Sequence, residues 1–169
     1  KGGDTLEPSV AKRTKDDLYI LYQRHVKTVY RVCYLYMKNP QDAEDMVQST
    51  FLKLFQYSGE FSDAEHEKAW LIVTAGNLCK DQLKSWWRKR RVPLEESIQC
   101  EDGGSLPDET LEKVLALPPQ YREALYLYYY EGYSTPELAS ILHKKEATIR
   151  SYLHRGRALL KMEIGGNES

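Results

Sequence analysis

The chain has 169 residues, room for one domain or two small ones, and its 41% hydrophobic content supports packed cores rather than a disordered tail. No apolar run approaches the roughly 20 residues needed to span a bilayer, and the polar start KGGDTLEPSV shows no signal peptide. The net charge of -1 excludes a uniformly basic surface but hides local imbalance: residues 80–91 hold six bases and one acid, residues 95–109 six acids and no base, and residues 144–161 six bases against Glu146.

Cys33, Cys79 and Cys100 are an odd count at wide spacing, which argues against a disulfide framework and fits a reducing cytosol. His25, His66, His143 and His154 lack ligand spacing. There is no CxxC, no HExxH, no Gly-rich phosphate loop and no GxSxG. The residues therefore point to no metal, no cofactor and no catalytic constellation.

In chain order, Thr14 is placed to cap a first helix, with Asp17 at the capping-box position. Leu18, Tyr22, Val26, Val29, Val32, Cys33 and Tyr36 keep helical spacing. Asn39-Pro40 ends that helix and Pro40 opens the next. The second helix turns Ala43, Met46, Val47, Thr50, Phe51, Leu54 and Phe55 inward and stops near Ser58-Gly59. Asp42, Glu44 and Asp45 crowd its first turn, where the helix dipole favours acids. Residues 59–67 read as a loop, and a long helix is expected over 67–90. Ile72, Gly76, Cys79, Leu83 and Trp86 form its apolar stripe. Asn77, Asp81, Lys84 and Arg88 form a second stripe, and Lys80, Lys84, Trp87 and Arg91 a third.

Residues 93–107 are an acidic linker with little reason to fold alone. A short helix over 108–116 and another over 120–131 follow, punctuated by Pro118-Pro119 and closed by Gly132. Ser134, Pro136 and Glu137 open a further helix with Leu138, Ala139 and Leu142 on its apolar face. His143-Lys144-Lys145 breaks that pattern. A last helix carries Ile149, Leu153, Gly156 and Leu160 inward. With no strand pattern, the fold class is all-α: two small helical domains, 14–92 and 108–163, joined by a flexible acidic linker.

A short helix, a tight turn and a longer basic helix describe a helix-turn-helix, whose second helix can enter the DNA major groove. Ser151 and His154 face outward. Arg150, Tyr152 and Arg155 flank them, and Lys145 and Thr148 complete the candidate duplex-reading set. A helical hairpin with a solvated basic face is the plain alternative. Over residues 80–91 the bases can neutralise phosphates, and an aromatic face can stack on unpaired bases. Trp86 continues the apolar stripe, whereas Trp87 either stacks or packs.

Two stretches carry a resemblance. Residues 117–161, LPPQYREALYLYYYEGYSTPELASILHKKEATIRSYLHRGRALLK, resemble the promoter-reading C-terminal domain of the bacterial sigma-70 family. The upstream half resembles region 2 of that family, through Trp70-Leu71, Asn77, Asp81 and the basic cluster 84–91. With no room for a further domain between them, the chain is similar to the two-domain extracytoplasmic-function (ECF) type. That resemblance implies a sigma region 2 helical bundle and a sigma region 4 helix-turn-helix. It implies a cytoplasmic, non-enzymatic factor that brings RNA polymerase core to promoter DNA. An anti-sigma factor partner is implied too, and no membrane insertion of its own.

By the same resemblance, Phe61, Asn77, Lys80, Asp81, Lys84, Trp87, Arg88 and Arg91 would serve the -10 element and its melted strand. Lys145, Thr148, Arg150, Ser151, Tyr152, His154 and Arg155 would read the -35 element. Asp42, Asp45, Gln48 and Lys53 would face the polymerase. The chain departs from the family pattern at Gly76, where many relatives carry Arg, at Tyr152 and at His143. A stand-alone helix-turn-helix regulator and a protein-interaction module are the rival readings.

Overall fold

A computed structural model of the chain describes residues 13–90 and 109–165, and among these every regular element is a helix. Helix α1 (Lys15–Met37) starts with the expected reciprocal cap: the Asp17 amide donates to Thr14 Oγ1 at 3.1 Å, and the Thr14 amide donates to the Asp17 carboxylate at 3.0 Å. Those two bonds hold the Asp17 carboxyl below its ordinary range. Lys38 closes α1 in the left-handed region at φ 62°. Asn39 then caps α2 (Pro40–Gln56) by accepting the Asp42 amide at 2.8 Å, with Pro40 in the first turn. Helix α3 (Ala64–Arg90) begins three residues before the expected start, because Asp63 accepts the His66 amide at 2.7 Å and serves as a cap.

These helices form a three-helix bundle around Val29, Val32, Leu35, Met37, Ala43, Val47, Leu54, Leu71, Ile72 and Cys79, all buried. Each large apolar side chain there contributes about 1.5–3 kcal/mol relative to exposure. Position in the stripe matters. Phe55, expected inward, is 61% exposed, and Tyr22, on the α1 stripe, is 44% exposed. Tyr22 covers Phe51 instead, with ring centroids 4.9 Å apart. One polar tie crosses the bundle: buried Glu67 on α3 accepts from the Arg24 guanidinium at 3.1 Å and pairs with His25 Nε2, both on α1.

The second bundle comprises α4 (Glu109–Leu115), α5 (Pro119–Leu125), α6 (Thr135–Leu142) and α7 (Glu146–Gly165). The helix expected over 120–131 does not stay α-helical. Its last part, Tyr126–Tyr130, widens into a π-turn in which the Glu131 amide reaches back to the Tyr126 carbonyl at 3.3 Å. Gly132, at φ 79°, ends it as expected. Buried Arg122 donates to the Leu115 carbonyl at 2.9 Å and so ties α4 to α5. Gly156 on α7 sits so close to α5 that an added Cβ would lie 2.7 Å from Leu125 Cδ1.

Candidate nucleic-acid interface

The helix-turn-helix is built as its caps dictate. Ser134 accepts the Glu137 amide to start α6. His143 turns the chain at φ 52°, ψ 46°, a left-handed conformation that a non-glycine residue adopts at a cost. The Lys144 amide donates to the Ala139 carbonyl at 3.0 Å, which closes the turn. Leu138, Ile149 and Leu153 are buried between α6 and α7, and this sets the outward face of α7.

Lys145, Arg150, His154 and Arg155 are exposed on that face, and Thr148 and Ser151 are half-buried at its edge. Arg150 is held by Glu146 one turn earlier, N to O 2.6 Å, and Glu146 also accepts from Thr135 at 3.1 Å. Tyr152 is half-buried, its ring edge-on to Tyr121 at 5.7 Å, so it belongs partly to the packing of α7 on α5.

On α3, Asn77, Lys80, Asp81, Lys84, Trp87 and Arg88 are all exposed and recur every three or four residues along one side. Asp81, Lys84 and Arg88, with Ser85 and Lys89, line a shallow depression of about 280 Å³. Trp87 is 53% exposed, whereas Trp86 packs against the core. Arg91 lies outside the described residues. Beside this face, Phe61 stands in an aromatic cluster: 5.5 Å from Tyr57, 5.7 Å from Trp70 and 5.4 Å from His66. Arg13 caps it. Its guanidinium donates to the carbonyls of Tyr57 and Gly59 at 2.5 and 2.6 Å and lies over the Phe61 ring at 5.0 Å. Sequence alone does not place Arg13 at this loop, because its partners are main-chain carbonyls 44 and 46 residues away.

On α2, Asp45, Gln48 and Lys53 project to solvent. Asp42 does not stand free with them: its carboxylate accepts from the Asn39 amide group at 2.5 Å and is part of the helix cap.

The sequence also gave no sign that the two bundles touch. Helix α5 lies along α1, and α6 approaches α3. Lys68 pairs with Glu131 at 2.7 Å, Lys80 with Glu123 at 3.5 Å, and Arg31 stacks over Tyr130 at 4.7 Å. Glu123 is buried next to Gly76 and Tyr36. Burial and the neighbouring Glu123 carboxylate push the Tyr36 phenol far above its ordinary range. Cys33 and Cys79, distant in sequence, meet in the same region as free thiols. A hydrogen bond to Cys33, with burial, pushes the Cys79 thiol strongly up.

Comparison with known proteins gives this geometry a lineage. Residues 21–90 match the family description "Sigma-70 region 2", and residues 108–160 match "Sigma-70, region 4". The chain is 32% identical over 160 residues to the ECF RNA polymerase sigma factor SigE of Mycolicibacterium smegmatis. That alignment takes in 88% of this chain and 62% of SigE, so the chain spans less than two thirds of that relative's length. It is 25% identical to the ECF RNA polymerase sigma factor SigW of Bacillus subtilis, with 92% of each covered. Its fold is similar to that of the sigma factor RpoE, solved in complex with the anti-sigma factor NepR from Bartonella quintana. There the TM-score is 0.71 at 24% identity, covering 90% of this chain and 99% of that one. CnrH, solved with the cytosolic domain of CnrY, gives a TM-score of 0.65 at 18% identity, with 94% of each chain covered. The chain belongs to the sigma-70 family, as a factor of the ECF type.

Proposed function

We propose that this chain directs bacterial RNA polymerase core to specific promoters and starts transcription there, without catalysis of its own. The α7 face, from Lys145 to Arg155, reads the -35 duplex. The α3 face, with Phe61 beside it, recognises and holds the opened -10 element. Asp45, Gln48 and Lys53 on α2 face the polymerase, with Asp42 set back as a cap. The observation that carries this reading is the presence in one chain of two separate basic faces, one of them a helix-turn-helix and the other carrying an exposed tryptophan among its bases. Duplex readout and single-strand stacking need those two chemistries.

The work is cytoplasmic because polymerase and promoter are there. Among the described residues no helix is long and apolar enough to cross a membrane. An anti-sigma factor is the expected protein partner, since RpoE is solved with one. The functional units are residues 14–92 and 108–163, with 93–107 as the acidic connection, which lies outside the described residues.

Reconstitution with bacterial core polymerase, followed by selection of promoter DNA from a random pool, tests the reading. A sigma factor enriches a bipartite site only when core is present. Enrichment of a single duplex site by the chain alone identifies a stand-alone regulator instead.

A further inference from the structure

Residues 57–63 connect α2 to α3 without regular structure, and connections of that kind move unless side chains hold them. This one is held from a distance. One guanidinium nitrogen of Arg13, ahead of α1, donates to the Tyr57 carbonyl at 2.5 Å, and the other donates to the Gly59 carbonyl at 2.6 Å. Tyr57 is the C-cap of α2, so its carbonyl lies at the negative end of the helix dipole, where a cation is favoured. The same guanidinium lies over the Phe61 ring at 5.0 Å and the Tyr57 ring at 5.6 Å. Tyr57 in turn stacks on Phe61 at 5.5 Å, and its ring lies across Gly59, where an added Cβ would collide with it. Trp70 and His66 stand across Phe61 at 5.7 and 5.4 Å. The far part of the loop has a tie of its own: the Ser62 amide donates to His66 Nδ1 at 3.1 Å. Phe61 is half-buried, so part of its ring remains at the surface.

We propose that Arg13 is a positioning residue for base selection in the opened -10 strand: it fixes where Phe61 stands and touches no nucleic acid itself. The proposal rests on the -10 role given to Phe61 above. A guanidinium is a planar fork, and two of its nitrogens on two carbonyls set the spacing between those carbonyls. A lysine ammonium is a single point of charge and cannot set that spacing. The fork also turns its plane to Phe61, so one side chain fixes both the backbone of the loop and the ring it presents. Stacking on an aromatic ring accepts every base. Choosing among bases needs walls that do not move, and side chains that lock a binding residue from behind supply them. A loop that already holds its bound shape also loses less freedom when it takes up a base. Arg13 therefore adds selectivity at the one base that meets Phe61, without a contact of its own.

The test assembles the full chain with core polymerase on forked DNA whose -10 strand is unpaired, in competition with a panel of single-base substitutions in that strand. Arg13→Ala should lower the preference among bases about three- to tenfold at the one position that Phe61→Ala also affects. Preference at the other positions, core binding and the salt slope should stay as in the parent. Arg13→Lys keeps the charge but not the fork, and should lose the same preference. In the Phe61→Ala background, Arg13→Ala should add no further loss, because one residue acts through the other. Thermal transitions of all variants are recorded, and binding is compared below the lowest of them, so that a folding defect does not enter the result. Full preference in Arg13→Lys would show that charge alone acts. A uniform loss across bases with a shallower salt slope would make Arg13 a phosphate contact. Additive losses from Arg13→Ala and Phe61→Ala would show that the two act apart. Each of these three results overturns the proposal. A parent holoenzyme that prefers no base anywhere on the opened strand fails the -10 reading itself, and the positioning role falls with it.

Discussion

Gly76 and Gly156 show how one missing side chain can have opposite meanings. At Gly156 an added methyl would meet Leu125 Cδ1 at 2.7 Å, Leu125 Cγ at 3.2 Å and Tyr121 Cβ at 3.3 Å, with Leu125 buried and unable to retreat. Overpacking there costs about 1–3 kcal/mol against about 1 kcal/mol gained from helix propensity. Gly156→Ala should therefore destabilise the protein by about 1 kcal/mol in urea titration, whereas Gly76→Ala, whose methyl meets ordinary contact distances, should be neutral or stabilising. The arginines of α7 divide similarly. Arg150 must leave Glu146 to read a base edge, but an exposed pair at that spacing is worth only about 0.3–0.5 kcal/mol, less than the about 1–3 kcal/mol of a bidentate base contact. Arg150→Ala should thus relax preference at one -35 position. Arg155→Ala should weaken all sequences alike and lower the salt slope by about one. A panel of single-base -35 substitutions, measured at two salt concentrations, separates the two roles.

At the scale of elements, α3 is packed at one end and exposed at the other. Its first turn is tied to α1 by buried Glu67, which pairs with buried His25 and with Arg24 at the surface. Removing the shared acceptor leaves a buried donor unpaired. Glu67→Ala should therefore cost about 2–4 kcal/mol, read as an earlier thermal or urea transition. The far end carries Trp87, 53% exposed, on the face proposed to meet the opened strand. Trp87→Ala removes an exposed ring and should leave that transition unmoved, yet reduce permanganate reactivity of the opened -10 strand more than initial duplex capture. Equal melting by the parent and the Trp87 variant would return Trp87 to the solvated surface. The π-turn at Tyr126–Tyr130 belongs to this scale as well: it places Tyr126 and Leu127 in the core while Tyr129 and Tyr130 remain exposed, and it aims Glu131 at Lys68.

At the scale of the molecule, the two bundles have separate apolar centres, and the seam between them is made chiefly of ion pairs and aromatic stacks. That difference predicts how the chain comes apart. Digestion with a glutamate-specific protease should cut first at Glu95, Glu96 or Glu101 and release two resistant fragments. Mass spectrometry of the early products checks this, and first cuts within 14–90 would move the proposed boundary.

Local chemistry by itself determined a large share of this protein. The caps at Thr14 and Ser134, the helix break at Asn39-Pro40, the stop at Gly132 and the break at His143 depend on neighbours a few residues away, so they were legible one helix at a time. The inward set Ile149, Leu153 and Gly156 followed from the helical repeat, and so did the outward face of α7. Helix spacing could not say which edge residues stay covered, so Phe55 was expected inside and stands outside. The first three residues of α3 went unread because their cap, Asp63, sat in a stretch that looked like loop. Only the tertiary structure brought Arg13 to the Phe61 loop, Cys33 to Cys79, and Glu123 and Glu131 to the lysines of α3. Those contacts join residues more than forty positions apart. Nothing in the periodicity of either partner encodes a distance to the other, so only packing could decide them.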